Sequence, residues 1–315
     1  MTIYVNSLLS AAAADVTGKP TPTRTWQWLR NGTAISGANS STYTVVEADL
    51  AANLSVSQIE TNLGGIDTAT STALGPVSTF GVNSLFANDE EGAWYDPSDL
   101  STLFQDSAGT TPVTTAGQPV GLMLDKSGRD NHATQATAAA RPTYQTGAGL
   151  HWLAFDGVDD VLRVDGTSSK DWTIAAGITT LGAVNTSAPM YSAYTAGSNR
   201  VIISPNDGAA GSGGFRLFEN TGNLISEDGP DLTGTAVVYA IRSVTLDHSA
   251  RRNGVSVGTS NDSRDVDFFP AAIGSYPQAS NHGESNIFGL VVVEGAVAAL
   301  SDLEQYLATK SGVTL

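Results

Sequence analysis

Thr25-Trp26-Gln27-Trp28-Leu29, running into the turn Arg30-Asn31-Gly32, is the stretch from which the fold can be read. Side chains alternate between the two faces of a strand, so Trp26 and Trp28 share one face and Gln27 points to the other. An Asn-Gly pair after such a run is a tight-hairpin signal. Upstream, Ser7 to Val16 reads as a strand before the turn Gly18-Lys19-Pro20-Thr21-Pro22. Downstream, Ala34-Ile35 leads to a turn at Gly37, and Thr42 to Val46 and Leu54 to Thr61 follow. Asn62-Leu63-Gly64-Gly65 then closes a hairpin into Asp67 to Ala73. One strand and turn in about ten residues is the spacing of a β-sandwich.

The same grammar continues past Leu74-Gly75-Pro76-Val77-Ser78, where a domain boundary is expected, giving domains 1–78 and 79–315. Strands are expected at Leu153 to Phe155, Val161 to Val164, Trp172 to Ile178, Arg200 to Ser204, Gly214 to Phe218, Ala236 to Leu246 and Phe288 to Val293. Ser301 to Lys310 reads as a helix, with Ser301 as its cap, Glu304 completing a capping box and Gly312 ending it. Residues 1–78 hold three basic and five acidic residues (net −2), the remainder 12 basic and 26 acidic (net −14). No internal repeat or low-complexity linker is found.

Composition agrees with an all-β chain. The 315 residues are 41% hydrophobic and 15% charged, with 33 glycines and many Thr, Ser and Val. Such a length buries ample core for two domains. A net charge of −16 repels phosphate backbones and anionic lipid, so nucleic acid and membrane are poor partners. No cysteine is present, so packing alone must hold each domain. No secretory signal is seen at the start, and the apolar-leaning Leu8 to Ala14 is too short to span a bilayer.

Two resemblances follow from these residues. Trp26-x-Trp28-Leu29-Arg30-Asn31-Gly32, Ile35-Ser36-Gly37-Ala38, Ser41-Thr42-Tyr43-Thr44, Ala48-Asp49-Leu50, Leu54-Ser55-Val56, Thr61-Asn62 and Gly64-Gly65 resemble the bacterial and phage immunoglobulin-like repeat. The resemblance implies that Trp28 is the core tryptophan and that Tyr43 and Asp49 flank the bend between sheets. The family carries a further upstream strand, which only Thr2 to Val5 could supply. The second domain resembles the laminin-G-like/concanavalin A-like jelly roll. Its marks are Trp94-Tyr95-Asp96-Pro97, Asp125 to Gln135, Arg141-Pro142-Thr143, Phe155-Asp156-Gly157-Val158-Asp159-Asp160, Arg252-Asn253-Gly254, Ile273-Gly274, Phe288-Gly289, and Leu300-Ser301-x-x-Glu304-x-Tyr306-Leu307-x-x-Lys310. This implies a two-sheet sandwich whose relatives bind glycans or proteins, often with calcium.

Chemistry-bearing residues are sparse. Asp156, Asp159 and Asp160 offer hard oxygens on a glycine turn and are the calcium candidates. The commoner reading is that Asp156 and Asp160 bond amides of the turn while Phe155 and Val161 point inward. Asp89-Glu90-Glu91 reads as a solvated linker. The alternating Glu-x-Asp-x-x-Glu strand of jelly-roll glucanases is absent, which argues against glycosidase chemistry and leaves no catalytic residue to name. His132, His151, His248 and His282 lack metal-ligand spacing. Gly208 to Gly214 lacks the Lys/Ser ending of a phosphate loop. Tyr191, Tyr194, Phe268, Phe269 and Tyr276 fall in expected loops, where they would either stack on sugar rings or plug the sandwich ends.

These features lead to the expectation of a non-enzymatic virion accessory protein on the capsid, tail or fibre of a tailed phage. Its immunoglobulin-like domain would dock on other virion proteins, and its jelly roll would contact host-surface glycan, with assembly into a homo-oligomer left open. The alternative is an extracellular or cell-surface carbohydrate-binding adhesin fragment. A polysaccharide-degrading enzyme comes third.

Overall fold

The computed structural model describes residues 3–5, 7–14, 20–166, 171–182, 190–194, 200–205, 213–219, 222–244, 247–261, 269–275 and 282–315. The chain is all-β with one C-terminal α-helix among the described residues, and it divides into two compact units, Met1–Gly81 and Val82–Leu315.

The smaller unit contains β1 (Ile3–Tyr4), β2 (Leu8–Ser10), β3 (Thr23–Arg30), β4 (Thr33–Ala34), β5 (Thr42–Thr44), β6 (Leu54–Asn62), β7 (Gly65–Thr70) and β8 (Val77–Ser78). Strands β4-β3-β6-β7 form one sheet, β2 pairs antiparallel with β5, and β1 pairs parallel with β8. Asn31 and Gly32 take φ of 47° and 79°, the left-handed values that a two-residue hairpin between β3 and β4 demands. Alternation buries Trp28, Leu54 and Val56 against Ile3, Leu9, Val45 and Val77. The Trp28 ring stacks on Tyr43 at 5.5 Å, and its Nε1 donates to the Ser40 carbonyl at 2.9 Å. Fully buried Asp49 accepts from Arg30 at 2.6 Å, the Tyr43 hydroxyl at 2.8 Å and the Val46 amide at 2.9 Å. The upstream strand is Ile3–Tyr4, in register with Val77 and Ser78.

The expected strand from Ser7 onward stops at Ser10. Beyond it, the Gln58 side chain takes the place of a strand. Its Oε1 accepts from the Ala14 amide at 2.8 Å and its Nε2 donates to the Ala14 carbonyl at 3.1 Å.

The larger unit contains β9 (Gly92–Tyr95), β10 (Leu103–Phe104), β11 (Leu122–Met123), β12 (Ala133–Thr134), β13 (Thr143–Gly147), β14 (Leu150–Asp156), β15 (Leu162–Val164), β16 (Trp172–Thr180) and β17 (Tyr191–Tyr194). These are followed by β18 (Arg200–Pro205), β19 (Gly213–Glu219), β20 (Gly222–Gly229), β21 (Ala236–Val244), β22 (Asp247–Arg252), β23 (Val255–Ser260), β24 (Ala271–Ile273), β25 (Glu284–Glu294) and α1 (Leu300–Ser311). Among the described residues a nine-stranded sheet runs β10-β11-β12-β15-β24-β17-β18-β19-β20. The facing sheet runs β13-β14-β25-β16-β21-β22-β23. Strands β14 and β9 share one edge of the long β25, pairing with its first and second halves.

Inward-facing Phe155, Ile174, Tyr239 and Val292 meet Leu162, Tyr191, Ile203 and Leu217 of the other sheet to make the core of this sandwich. Every residue of β16 is buried, which one covered face cannot explain. Helix α1 covers the other face, packing on β14, β16, β21 and β25. Small residues let it approach: a side chain at Gly177 would lie 3.0 Å from Ser311, and one at Gly289 would lie 3.1 Å from Leu307. Burial of Leu303 and Leu307 contributes about 2 kcal/mol each.

Helix α1 ends as the sequence suggests, with Gly312 at φ 72°. Its start differs. Ala299 is the cap residue, Ser301 lies inside the first turn, and no side chain caps the helix. Glu304 cannot complete a capping box because it is buried against Arg251, whose Nε donates to its two oxygens at 2.9 and 3.2 Å.

Candidate functional site

The turn between β14 and β15 gathers the acidic cluster. Asp156 Oδ1 accepts the amides of Val158, Asp159 and Asp160 at 2.8, 3.3 and 3.4 Å. Asp160 Oδ2 accepts the Asp156 amide at 2.9 Å, so the two carboxylates hold the turn reciprocally. Phe155 and Val161 on either side are buried. Gly157, at φ 73°, packs so closely on Glu284 that a Cβ would stand 2.9 Å from it.

One oxygen from each of Asp156, Asp159 and Asp160 lies within 4.8 Å of the others. They are exposed, half-buried and buried in that order. Burial, then the charges of Asp156 and Asp159, push the Asp160 carboxyl up to about 6, against the pull of the Asp156 amide and of His282. The His282 ring lies 3.2 Å from the Asp160 carbonyl oxygen. A carboxyl raised to about 6 beside an exposed carboxylate holds a proton in mildly acidic solution, and once ionised it can share a hard cation.

The aromatic candidates need correction. Tyr191 is a strand residue, wholly buried in β17 between β18 and β24, and Phe269 is wholly buried in the same core. Neither presents a ring to a ligand. Tyr194 ends β17 rather than sitting in a loop, and its side chain lies outside the described set. Phe268 and Tyr276 lie outside the described residues. Half-buried rings stand elsewhere, at Trp94, Tyr306 and Trp152.

Trp94 and Tyr306 belong to a polar network built on Asp96. This carboxylate, 4% exposed, accepts from Lys310 at 3.0 and 3.2 Å, Ser98 Oγ at 2.6 Å and the Tyr306 hydroxyl at 3.1 Å. Lys126 stands 3.4 Å away, over the Trp94 ring. Burial would raise the Asp96 carboxyl, but hydrogen bonds from Ser98 and Lys310 and the charges of both lysines outweigh it and hold the carboxyl below its usual range. Asp125, also buried, accepts the amides of Trp94 and Ser127 at 2.8 Å and the Ser127 hydroxyl at 2.6 Å. The signature residues around Trp94 and Asp125 thus fasten β9 and α1 together.

The remaining candidates occupy structural positions. Asp89 pairs with Arg129 at 2.9 Å, and the Glu91 carbonyl accepts the Glu294 amide at 2.7 Å, so Asp89-Glu90-Glu91 is a pinned turn rather than a free linker. His132 accepts the Asp125 amide at 3.1 Å, His151 bonds the Tyr144 hydroxyl at 2.6 Å, and His248 is buried in β22. Of Gly208 to Gly214, only Gly213 and Gly214 are described, and both lie in β19.

No family model and no curated protein matches this sequence. Solved structures do. An arabinofuranosidase complexed with arabinofuranosyl-α-1,2-xylobiose matches with a TM-score of 0.53 at 13% identity, over 74% of this chain and 65% of its own. A GH54 α-L-arabinofuranosidase soaked with a cyclic sulfate inhibitor matches with a TM-score of 0.51 at 14% identity, over the same shares of each chain. The chain therefore spans slightly under two thirds of the length of these enzymes, and the likeness is one of fold.

These neighbours contradict the expectation of a non-enzymatic virion protein, since the solved structures that share this fold include arabinofuranosidases. The missing carboxylate strand of one group of jelly-roll hydrolases is too narrow a ground for excluding catalysis. Glycoside hydrolysis asks only for two carboxyls suitably placed on any elements.

Proposed function

We propose that the larger unit engages carbohydrate as part of a glycan-processing protein. The observation carrying this reading is the fold shared with an arabinofuranosidase solved with an arabinose-bearing xylobiose, which also makes pentose-bearing polysaccharide the first ligand class to test. The Asp156–Asp160 turn supports it as the one described group of three acidic residues whose oxygens converge. The smaller unit is read as an immunoglobulin-like spacer, on the buried Trp28, the Tyr43–Asp49 bond and the paired upstream strand. Such a protein would work outside the cell or at its surface.

The test is electrophoresis of the full chain through gels containing arabinoxylan, arabinan or other polysaccharides, with release of nitrophenol from aryl arabinofuranosides measured in parallel. The expected result is retardation by a pentose-bearing polymer. Hydrolysis abolished by Asp160→Asn would place the chemistry at the turn. Unretarded migration in every gel, with no hydrolysis, would refute the proposal.

A further inference from the structure

Strand β7 of the smaller unit is an edge. It pairs with β6 and with no other strand among the described residues, and all six of its residues are exposed. An open row of backbone amides and carbonyls is a template for another strand. The usual protections, a proline or a lysine on the edge, are missing from Gly65-Ile66-Asp67-Thr68-Ala69-Thr70.

The register shows which groups point outward. Asn62 pairs with Gly65 across the two-residue turn Leu63-Gly64, and the Ser71 amide donates to the Val56 carbonyl at 2.9 Å. Both are hydrogen-bonded positions of one ladder, so the pairs between them alternate in kind. Glu60 with Asp67 and Gln58 with Ala69 are bonded pairs, whereas Thr61 with Ile66, Ile59 with Thr68 and Ser57 with Thr70 are not. The amides of Ile66, Thr68 and Thr70 therefore face away from β6. The central one is covered by its own neighbour: Asp67 Oδ1 accepts the Thr68 amide at 2.9 Å.

We propose that Asp67 is the guard of this edge, and that without its cap β7 pairs antiparallel with β7 of a second copy of the chain. The strand suits itself as a partner. Centred on Thr68, the pairing sets Ile66 opposite Thr70 and Asp67 opposite Ala69, so no carboxylate faces another. The outward amides then meet outward carbonyls, and the two four-stranded sheets continue as one. The capped amide sits at the middle of that register, where a single blocked group interrupts the ladder most.

The experiment is sedimentation velocity of the full chain over a range of concentrations. Variants Asp67→Ala and Asp67→Val lack the acceptor, while Asp67→Asn keeps an acceptor oxygen without the charge. Each new dimer uncovers two capped amides at about fivefold per hydrogen bond, so the association constant should rise about 25-fold in Ala and Val. Asp67→Asn should sediment like wild type. Adding Thr68→Pro, which removes the outward amide but no bond to β6, should return Asp67→Ala to the wild-type profile. At dilutions where every variant is monomeric, hydrogen exchange at the Thr68 amide should quicken in Asp67→Ala and not in Asp67→Asn, and it should slow again in Asp67→Ala as concentration drives association. Sedimentation of both Ala and Val unchanged from wild type overturns the proposal. So does association in Asp67→Asn equal to that in Ala, or association that Thr68→Pro leaves intact.

Discussion

Replacing Asp160 by asparagine should stabilise the larger unit at neutral pH, by an amount that depends on pH in a defined direction. The folded environment raises this carboxyl from 3.8 to about 6, first through burial and then through the charges of Asp156 and Asp159. A raised carboxyl binds its proton more tightly in the folded state than in the unfolded one. Its contribution to stability is therefore complete below about pH 4 and is lost as pH climbs through 6. At about 1.4 kcal/mol for each tenfold change in proton affinity, a rise of this size means about 3 kcal/mol in all, of which about 2.5 kcal/mol is lost between pH 4 and 7. Asparagine keeps an oxygen for the Asp156 amide but cannot ionise, so the variant escapes that loss. The assay is urea denaturation of both full chains at intervals from pH 4 to 8, with the transitions of the two units fitted separately. The difference between variant and wild type removes the titration of carboxylates that do not interact with Asp160. It should grow by about 2.5 kcal/mol from pH 4 to 7 and then level off. A difference that stays flat across the range would refute the electrostatic reasoning.

Lys310→Met should destabilise the larger unit by about 3 kcal/mol, measured by the same denaturation, because it leaves buried Asp96 short of its closest cation. Gly92→Ala should cost about 3 kcal/mol or prevent folding, read by circular dichroism, since its Cβ would lie 2.1 Å from the Val292 carbonyl at a φ of 150°. Trp28→Ala should lower the smaller unit's stability by about 4 kcal/mol, with the larger unit's transition unchanged in calorimetry. If calcium binds at the turn, the wild-type thermal midpoint should rise in step with free ion, and the double change Asp159→Asn with Asp160→Asn should abolish that rise.

What the sequence reveals depends on how local its cause is. Strands β3, β6, β16 and β25 announce themselves through side-chain alternation or unbroken apolar runs, whereas β20, β22 and β23, also six residues or longer, are not expected from the sequence. Two-residue strands such as β10, β11 and β12 exist only because distant neighbours hold them, and no local pattern marks them. Strand β17 reads as loop because Ser192 and Ala193 lack β-branched character, yet it is buried between two strands. The helix start shifts for a similar reason: Glu304 has a stronger partner in Arg251, on a strand far back in the chain, than in its own first turn. The turn at Asp156 to Asp160 is legible in full because every bond within it spans four residues or fewer.

Two aspartates of the larger unit show why the candidate site was harder to read than the fold. Asp96 and Asp160 are almost equally buried, at 4% and 5% exposure, yet their carboxyls move in opposite directions. Asp96 is met by Lys310, which lies 214 residues away, and by Lys126, so its negative charge fastens the structure. Asp160 is opposed first by burial and then by the charges of Asp156 and Asp159, which outweigh the Asp156 amide and His282, so its charge opposes folding at neutral pH. A sequence displays the acids but not which of them find a cation. Removing the first should damage the fold, and removing the second should strengthen it. Asp160 has a folding reason to offer an oxygen to the Asp156 amide but none to be an acid rather than an amide, and perturbed groups of that kind concentrate at functional sites. For that reason the turn at Asp160, rather than the richer network at Asp96, is where glycan chemistry or cation binding should be sought first.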